Sequence, residues 1–465
     1  MDASSTEAAV AAARADLDAA QHDLEALVRI PSISADPEHF DDVDACAASV
    51  ADLMRDAGLD DVRELRVDGG LPYVVGEWTQ RADAPTVLLY AHHDVQPPGY
   101  VDRWSSDPFI PREHEGRLFG RGTADDKAGV VTHVAAVRAW LRTAGELPCN
   151  VKVLVEGEEE IGSPGLAGFL DAHATALQSD VLLLADAGNW SVGTPGLTYS
   201  LRGLADLDVR VRALDGPVHS GMAGGAVPDP VLALAQMLAT LVDEHGDPAF
   251  DGCWDDYDAP DTAERARLAA LPLNEAGLRR AWGMRPGVDI AGDPDVSIFE
   301  KVWLRPTVTV IGIDGHPIAG SSNQIVAEAA ARISMRVGRG QDPHRLLDAL
   351  ATHLERRVPL DLELSIVRRD AVPAWHCEPI GWAFEATERA LRAGFGVDPV
   401  YMGVGGSIPF VGPFADAFGG IPALLLGPAD PGSRIHGEDE SLHLGDWHKL
   451  IESEVRLLAE LTAGS

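Results

Sequence analysis

Gly120-Arg121-Gly122-Thr123-Ala124-Asp125-Asp126-Lys127-Ala128-Gly129 is the stretch from which the rest of the chain is read. A glycine-rich turn delivers two adjacent carboxylates to the start of a helix whose apolar stripe is Val130, Val134, Val137 and Leu141. Acidic residues open helices through capping and the helix dipole, so the pair taken alone reads equally as an ordinary helix start. The surroundings tip the balance. Three other strand-like segments also end in His, Asp or Glu, the pattern of a metal site assembled at strand ends.

The first of these is Thr86-Val87-Leu88-Leu89-Tyr90, an apolar run that fits a buried strand of a largely parallel sheet and leads into Ala91-His92-His93-Asp94. In an extended segment residues two apart point the same way, so His92 and Asp94 share a face. Asp94 can then accept the second ring N–H of His92 and leave the other nitrogen for a metal; a solvated polar strand end is the alternative. The second run, Asn150 to Val155, ends in Glu156-Gly157-Glu158-Glu159-Glu160-Ile161-Gly162-Ser163, either a solvated charge run or part of a site. The third, Asp180 to Leu184, ends in Ala185-Asp186.

Upstream, residues 7 to 29 read as an amphipathic helix stopped by Pro31, and residues 41 to 57 as another stopped at Gly58. Downstream the pattern changes. Residues 204 to 213 alternate apolar and charged, the mark of an antiparallel strand with one wet face. A helix from Asp229 to about Asp243 follows, then a Trp/Pro/Asp-rich insertion at 245 to 303 containing Trp254, Trp282 and Trp303. Thr307 to Ile313, Ala327 to Val337, a helix from Pro343 to Arg356 and Asp361 to Val367 complete a strand, helix, strand, strand, helix, strand order, the split ferredoxin-like arrangement. After Pro373 the first pattern returns: a helix over 380 to 393, the turn Gly403-Val404-Gly405-Gly406-Ser407-Ile408-Pro409, the run Pro422 to Leu426, a loop bearing His436 and a last helix from Asp446 to Leu461. The expected fold is α/β, a mostly parallel-sheet domain in two parts, 1–200 and 371–465, around an inserted α+β domain at 201–370.

The length of 465 residues suits two domains. Lys+Arg 37 against Asp+Glu 73 leaves a net charge of 37 − 73 = −36, which repels nucleic acid and anionic membrane surfaces. Cys46, Cys149, Cys253 and Cys377 are far apart and form no CxxC pair, which argues against a disulfide framework and a thiolate zinc site and fits a reducing compartment. Residues 1 to 29 are acidic and Ala-rich, unlike a signal peptide, and no run approaches the roughly 20 apolar residues of a membrane span. The expectation is a soluble, cytoplasmic protein.

With His92-His93-Asp94, Ala124-Asp125-Asp126-Lys127, Glu158-Glu159-Glu160-Ile161-Gly162-Ser163, Asp186, Gly405-Gly406-Ser407-Ile408-Pro409 and His436 in that order, the chain resembles the two-metal aminohydrolases. That family includes carnosinase-like dipeptidases, glutamate carboxypeptidase, aminoacylase and succinyl-diaminopimelate desuccinylase. The resemblance covers nearly the whole chain. The long insertion and Thr198-Tyr199-Ser200-Leu201-Arg202-Gly203 look most like the cytosolic dipeptidase and carnosinase branch.

The resemblance implies that Asp125 bridges two divalent cations, with His92 and Asp186 on one and Glu160 and His436 on the other. Zinc is the first choice, and manganese or cobalt suits the same ligands. It implies Glu159 as general base, Asp94 as the group behind His92, and a cis Asp125-Asp126 peptide bond. From the inserted domain, in this family a lid and dimerisation domain, it implies His219 as an oxyanion-stabilising group delivered across a homodimer interface. Asn323, Arg336 and Ser407 are expected at the substrate, Arg336 gripping a terminal carboxylate. Asp439 stands where the family usually places Asn before Glu440, and His443 competes with His436 as a ligand. The remaining histidines, His133 among them, read as structural or surface.

The leading expectation is a metal-dependent dipeptidase acting on short peptides with a free C-terminal carboxylate. An N-acyl amino acid deacylase or desuccinylase on the same scaffold is the runner-up. A catalytically silent binding protein is the alternative from another class; its mark would be a missing base or ligand, and none is missing.

Overall fold

The computed structural model of the chain is described over residues 2–406, 408 and 411–462. It divides into two compact units. The first comprises Met1–Tyr199, Cys377–Met402 and Pro409–Ser465, the second Ser200–His376 and Gly403–Ile408.

The first unit is built on a mixed sheet whose centre is parallel. Asn150–Glu156, Thr86–His92, Val181–Leu184 and Ala423–Leu425 lie side by side in that order, each parallel to its neighbour. Asp60–Leu65 and Tyr73–Trp78 extend one side antiparallel, and Gly196–Leu201 meets the other at Thr198 opposite Leu425. The central strands are apolar without alternation because both faces are covered.

The helix Lys127–Ala144 carries the sequence's apolar stripe, yet every residue from Lys127 to Trp140 is buried. It packs among the helices Ala3–Ala15, Leu17–Val28, Phe40–Ala57 and Leu444–Glu460, and against the strand Thr86–His92. Polar groups on such a helix must find partners inside the protein. Lys127 Nζ accordingly donates to the carbonyls of Leu27 and Ile30, at 2.9 and 2.7 Å, tying the end of one helix to the start of another.

The single N-terminal helix expected over 7 to 29 is in fact two, Ala3–Ala15 and Leu17–Val28, divided at Asp16. Asp16 leaves helical geometry with φ −103° and ψ 5°, and its carboxylate accepts from Arg142 Nη1 at 2.8 Å. Asp is a weak helix interior residue, and this ion pair rewards a break that periodicity cannot register. The helix Phe40–Ala57 ends at Gly58 with φ 97°, the left-handed turn expected of glycine there.

In the second unit the strands Gly203–Arg212, Thr307–Asp314, Glu328–Val337 and Glu363–Val372 form an antiparallel sheet with the first flanked by the third and fourth. The helices Pro230–Leu238 and Pro343–Arg357 cover one face, where Leu207, Val209 and Val211 meet Met237, Leu346, Leu350 and Leu354. This is the split βαβ order. The first of those helices is shorter than the expected run to Asp243, because residues 240–247 turn instead, with Asp243 Oδ1 accepting the amides of His245 and Asp247. Three short helices, Thr262–Ala270, Glu275–Ala281 and Ile298–Trp303, lie in the long insertion. No helix among the described residues is long and apolar enough to cross a membrane.

Candidate metal centre

The parallel strands end together. His92 is opposite Glu156 and Tyr90 opposite Leu184, so the loops after three adjacent strands, with Asp94, Glu158–Glu160 and Asp186, emerge on one edge. Carboxyl ends of parallel strands are where open α/β sheets place ligands. The Gly120–Asp125 turn brings Asp125 and Asp126 to the same place at the head of the buried helix, across a cis Asp125-Asp126 bond.

Asp125 is the centre. Its Oδ1 lies 3.1 Å from His92 Nε2 and its Oδ2 3.0 Å from His436 Nε2. Beyond His92, Asp186 Oδ2 is 3.9 Å from the same Nε2; beyond His436, Glu160 Oε2 is 3.1 Å away. His92, Asp125 and Glu160 present ligand atoms within 4.8 Å of one another, and so do His92, Asp126 and Asp186.

The electrostatics are those of a site short of positive charge. Burial, and the charges of neighbouring carboxylates, push the carboxyls of Asp126, Glu159 and Asp186 well above the ordinary range against the opposing charge of His92. Burial and Asp125 push Glu160 up as well. Burial acts on Asp125 too, but hydrogen bonds from His436 and His92 outweigh it and hold that carboxyl low. His436, hydrogen-bonded to Asp125 and Glu160, is raised to about 10. Asp126 Oδ1 is buried with no hydrogen-bond partner among the described residues. Carboxylates crowded around two imidazoles, with too few protons to satisfy them, fit divalent cations held by N and O donors.

Asp94 does not face the cluster. Its carboxylate accepts the amides of Glu159 at 3.2 Å and Glu160 at 3.0 Å, and its Oδ1 is 3.4 Å from His92 Nδ1, which also lies 3.1 Å from the Asp94 carbonyl. It is a positioning residue for two loops at once, which spacing alone did not reveal. Glu158 belongs elsewhere: it accepts from Tyr73 Oη at 2.7 Å and from the amide of Gly165 at 2.7 Å. Glu159 follows Glu158 in the same loop, its carboxyl raised by burial and by the charges of Asp186 and Glu160 against the opposing charge of His92.

Sequence reasoning passed over Gln96 and gave no role to Asp126 or Glu440. Gln96 donates its amide to Glu160 Oε1 at 3.2 Å and its side-chain nitrogen to Glu160 Oε2 at 2.9 Å. Asp126 Oδ2 accepts the amide of His92 at 3.2 Å. Glu440 accepts the amide of Asp125 at 3.2 Å. Gln96 had no spacing signal, and the partners of Asp126 and Glu440 lie too far along the chain for spacing to show. His443, the competing ligand, instead caps the last helix through Nδ1 and the amide of Asp446. Asp439 adopts φ 60°, a conformation Asn and Asp tolerate, and accepts Ser105 N and Oγ at 2.7 and 2.9 Å.

Three of the expected substrate-facing residues lie in the second unit. His219 is exposed and its Nδ1 accepts the amide of Gly221. Asn323 is also exposed, and its carbonyl accepts the amide of Ser220 at 2.9 Å. Arg336 lies opposite Leu204 and Thr307, and among the described residues its guanidinium has no carboxylate within ion-pair distance. Ser407 lies outside the described residues.

The chain is 33% identical over 408 residues to the cysteinylglycine-S-conjugate dipeptidase of Corynebacterium striatum, covering 87% of each chain. It is 28% identical over 458 residues to the Cys-Gly metallodipeptidase of Schizosaccharomyces pombe, covering 95% of each. In three dimensions it is similar to human carnosine dipeptidase 1, with a TM-score of 0.83 at 23% identity over 98% of this chain and 99% of that one. The family description "Peptidase family M20/M25/M40" matches residues 88–460, a span that takes in every segment meeting at Asp125, and the chain belongs to that family.

Proposed function

We propose that this chain is a metal-dependent dipeptidase that hydrolyses the amide bond of dipeptides or short peptides bearing a free C-terminal carboxylate. The observation that carries the reading is Asp125, bracketed by His92 on one carboxylate oxygen and His436 on the other, each histidine with a further acid beside it. His92 and Asp186 would hold one divalent cation, Glu160 and His436 the other, with Asp125 shared. Zinc is proposed first, manganese or cobalt next. Such cations supply Lewis acidity to the scissile carbonyl and acidify the attacking water.

The chain's own chemistry falls to Glu159, which takes the proton of that water and passes it to the leaving amine. Asp94, bound to the amides of Glu159 and Glu160, holds base and ligand in fixed relation. Residues 1–200 and 371–465 act as the catalytic part and 201–370 as lid and dimerisation domain. From the latter, His219 stabilises the developing oxyanion across a homodimer interface, and Arg336, Asn323 and Ser407 receive the substrate carboxylate. A cytoplasmic location fits four free cysteines.

The relatives named as dipeptidases favour peptides over N-acyl amino acids. The test is a panel of both substrate types with metal-loaded protein. Hydrolysis of Cys-Gly or β-Ala-His type dipeptides is expected. Turnover of acylated amino acids alone would replace this reading with the deacylase one, and no turnover of either class would leave a binding protein.

A further inference from the structure

Arg121 and Glu440 form an ion pair closed to solvent, Nη1 donating to Oε2 at 2.7 Å with side chains 2% and 0% exposed. The desolvation of two charges offsets most of the attraction between them, so such a pair adds little stability by itself. It persists when the remaining donors and acceptors are largely met, and here the backbone meets them except at Arg121 Nε, which is buried with no partner among the described residues. Glu440 Oε2 also accepts the amide of Gly122 at 3.1 Å, while Oε1 accepts those of Ala124 at 3.0 Å and Asp125 at 3.2 Å. Arg121 Nη2 donates to the carbonyls of Pro97 at 3.3 Å and Gly437 at 3.2 Å.

Each of those backbone groups belongs to a segment carrying a proposed ligand. Pro97 follows His92, Asp94 and Gln96; Gly122 to Asp125 is the turn that presents the shared acid; Gly437 is the residue after His436. We infer that the Arg121–Glu440 pair is a positioning device that holds these three loops in register and thereby sets the geometry of the cation position formed by Asp125, Glu160 and His436.

That position needs it more than the other does. His92 ends a strand paired on both sides, so the sheet already fixes it. His436 lies on a loop with left-handed backbone at Arg434, His436 and Asp439, and its side chain is 56% exposed. The grip on Gly437 and the return of the chain at Glu440 anchor that loop beside His436, together with the hydrogen bonds of Asp439 to Ser105. An apolar pair of equal volume would fill the space but could not aim three N–H donors and two carbonyls.

The inference rests on the two-cation reading above, and the test separates them. Metal-stripped wild type, Glu440→Gln and Arg121→Lys are titrated with Mn2+ alone, followed by calorimetry and electron paramagnetic resonance, with circular dichroism to establish folding. Wild type is expected to bind two ions and show a spin-coupled pair. In the variants the first ion should bind nearly as before and the second at least about tenfold more weakly, so that isolated Mn2+ signals dominate at intermediate loading. Unchanged affinity for the second ion in a folded variant overturns the inference. Failure of both variants to fold overturns it too, because the pair is then a fold determinant. A wild type that never shows a coupled pair overturns the two-cation reading instead.

Discussion

His436 Nε2 lies 3.0 Å from Asp125 Oδ2, on the opposite carboxylate oxygen from the one that meets His92 at 3.1 Å. One short side chain thus separates two imidazoles that come from opposite ends of the chain. That placement supports the proposal that Asp125 is a shared ligand rather than a helix cap, and the predictions below depend on it.

Glu159→Gln should lower kcat on the order of a hundredfold or more while leaving metal content unchanged, because an amide can keep the shape but cannot take the proton. Steady-state kinetics with elemental analysis of the same sample checks this. Activity near wild type would remove Glu159 from the chemistry.

Chelation should abolish turnover and also lower thermal stability, since the buried Asp126 and the half-buried Glu159, Glu160 and Asp186 are crowded together and repel one another without a cation. A ligand present at about a thousand times its Kd contributes roughly 4 kcal/mol to the folded state. Scanning calorimetry with and without chelator would show it. An unchanged Tm would mean that the acids are satisfied in some other way.

Gly129→Ala is predicted to destabilise. In an ordinary helix interior Ala is better than Gly by about 1 kcal/mol. Here a Cβ would stand 2.2 Å from Asp126 Oδ1, and overpacking of this kind costs about 1–3 kcal/mol, so the sign reverses. Because Asp126 Oδ2 accepts the amide of His92, metal affinity should fall with stability. Urea denaturation that finds the variant more stable would refute the steric account.

His133 should give stability that depends on pH. Its Nδ1 is 2.7 Å from Glu454 Oε1 and its Nε2 3.0 Å from the Tyr90 carbonyl, so both nitrogens face acceptors and both must carry protons. Burial opposes the charge, but Glu454 outweighs it and raises the ring above 6.5. A raised folded-state value means the contribution is complete below the unfolded value and is lost as pH climbs through the folded one. The advantage of wild type over His133→Gln, measured by denaturation with metal saturating, should therefore be larger at about pH 6 than at about pH 9. A difference that stays constant with pH would show that the ring is neutral.

Much of the architecture was legible because local pattern carries it. The continuous apolar runs at Thr86 and Val181 fit buried strands of a parallel sheet, and the alternation from Leu204 fits a strand with one wet face. Where partners lie far away in sequence, pattern was blind. The break at Asp16 depends on Arg142, and the burial of the whole Lys127–Trp140 surface depends on four other helices.

The same division runs through the site. By itself the sequence determined which residue types end which segments, since a histidine or an acid after a buried strand is a local fact about composition and period. Only the tertiary structure decided what each acid does. Glu158 turns to Tyr73, Asp94 serves the amides of Glu159 and Glu160, and Glu440 reaches back along the chain to grip the Asp125 turn. The reason is physical. The state and partners of a carboxylate follow from burial and from charges within a few ångströms, and those neighbours are chosen by the packing of strands and helices that no window along the chain contains.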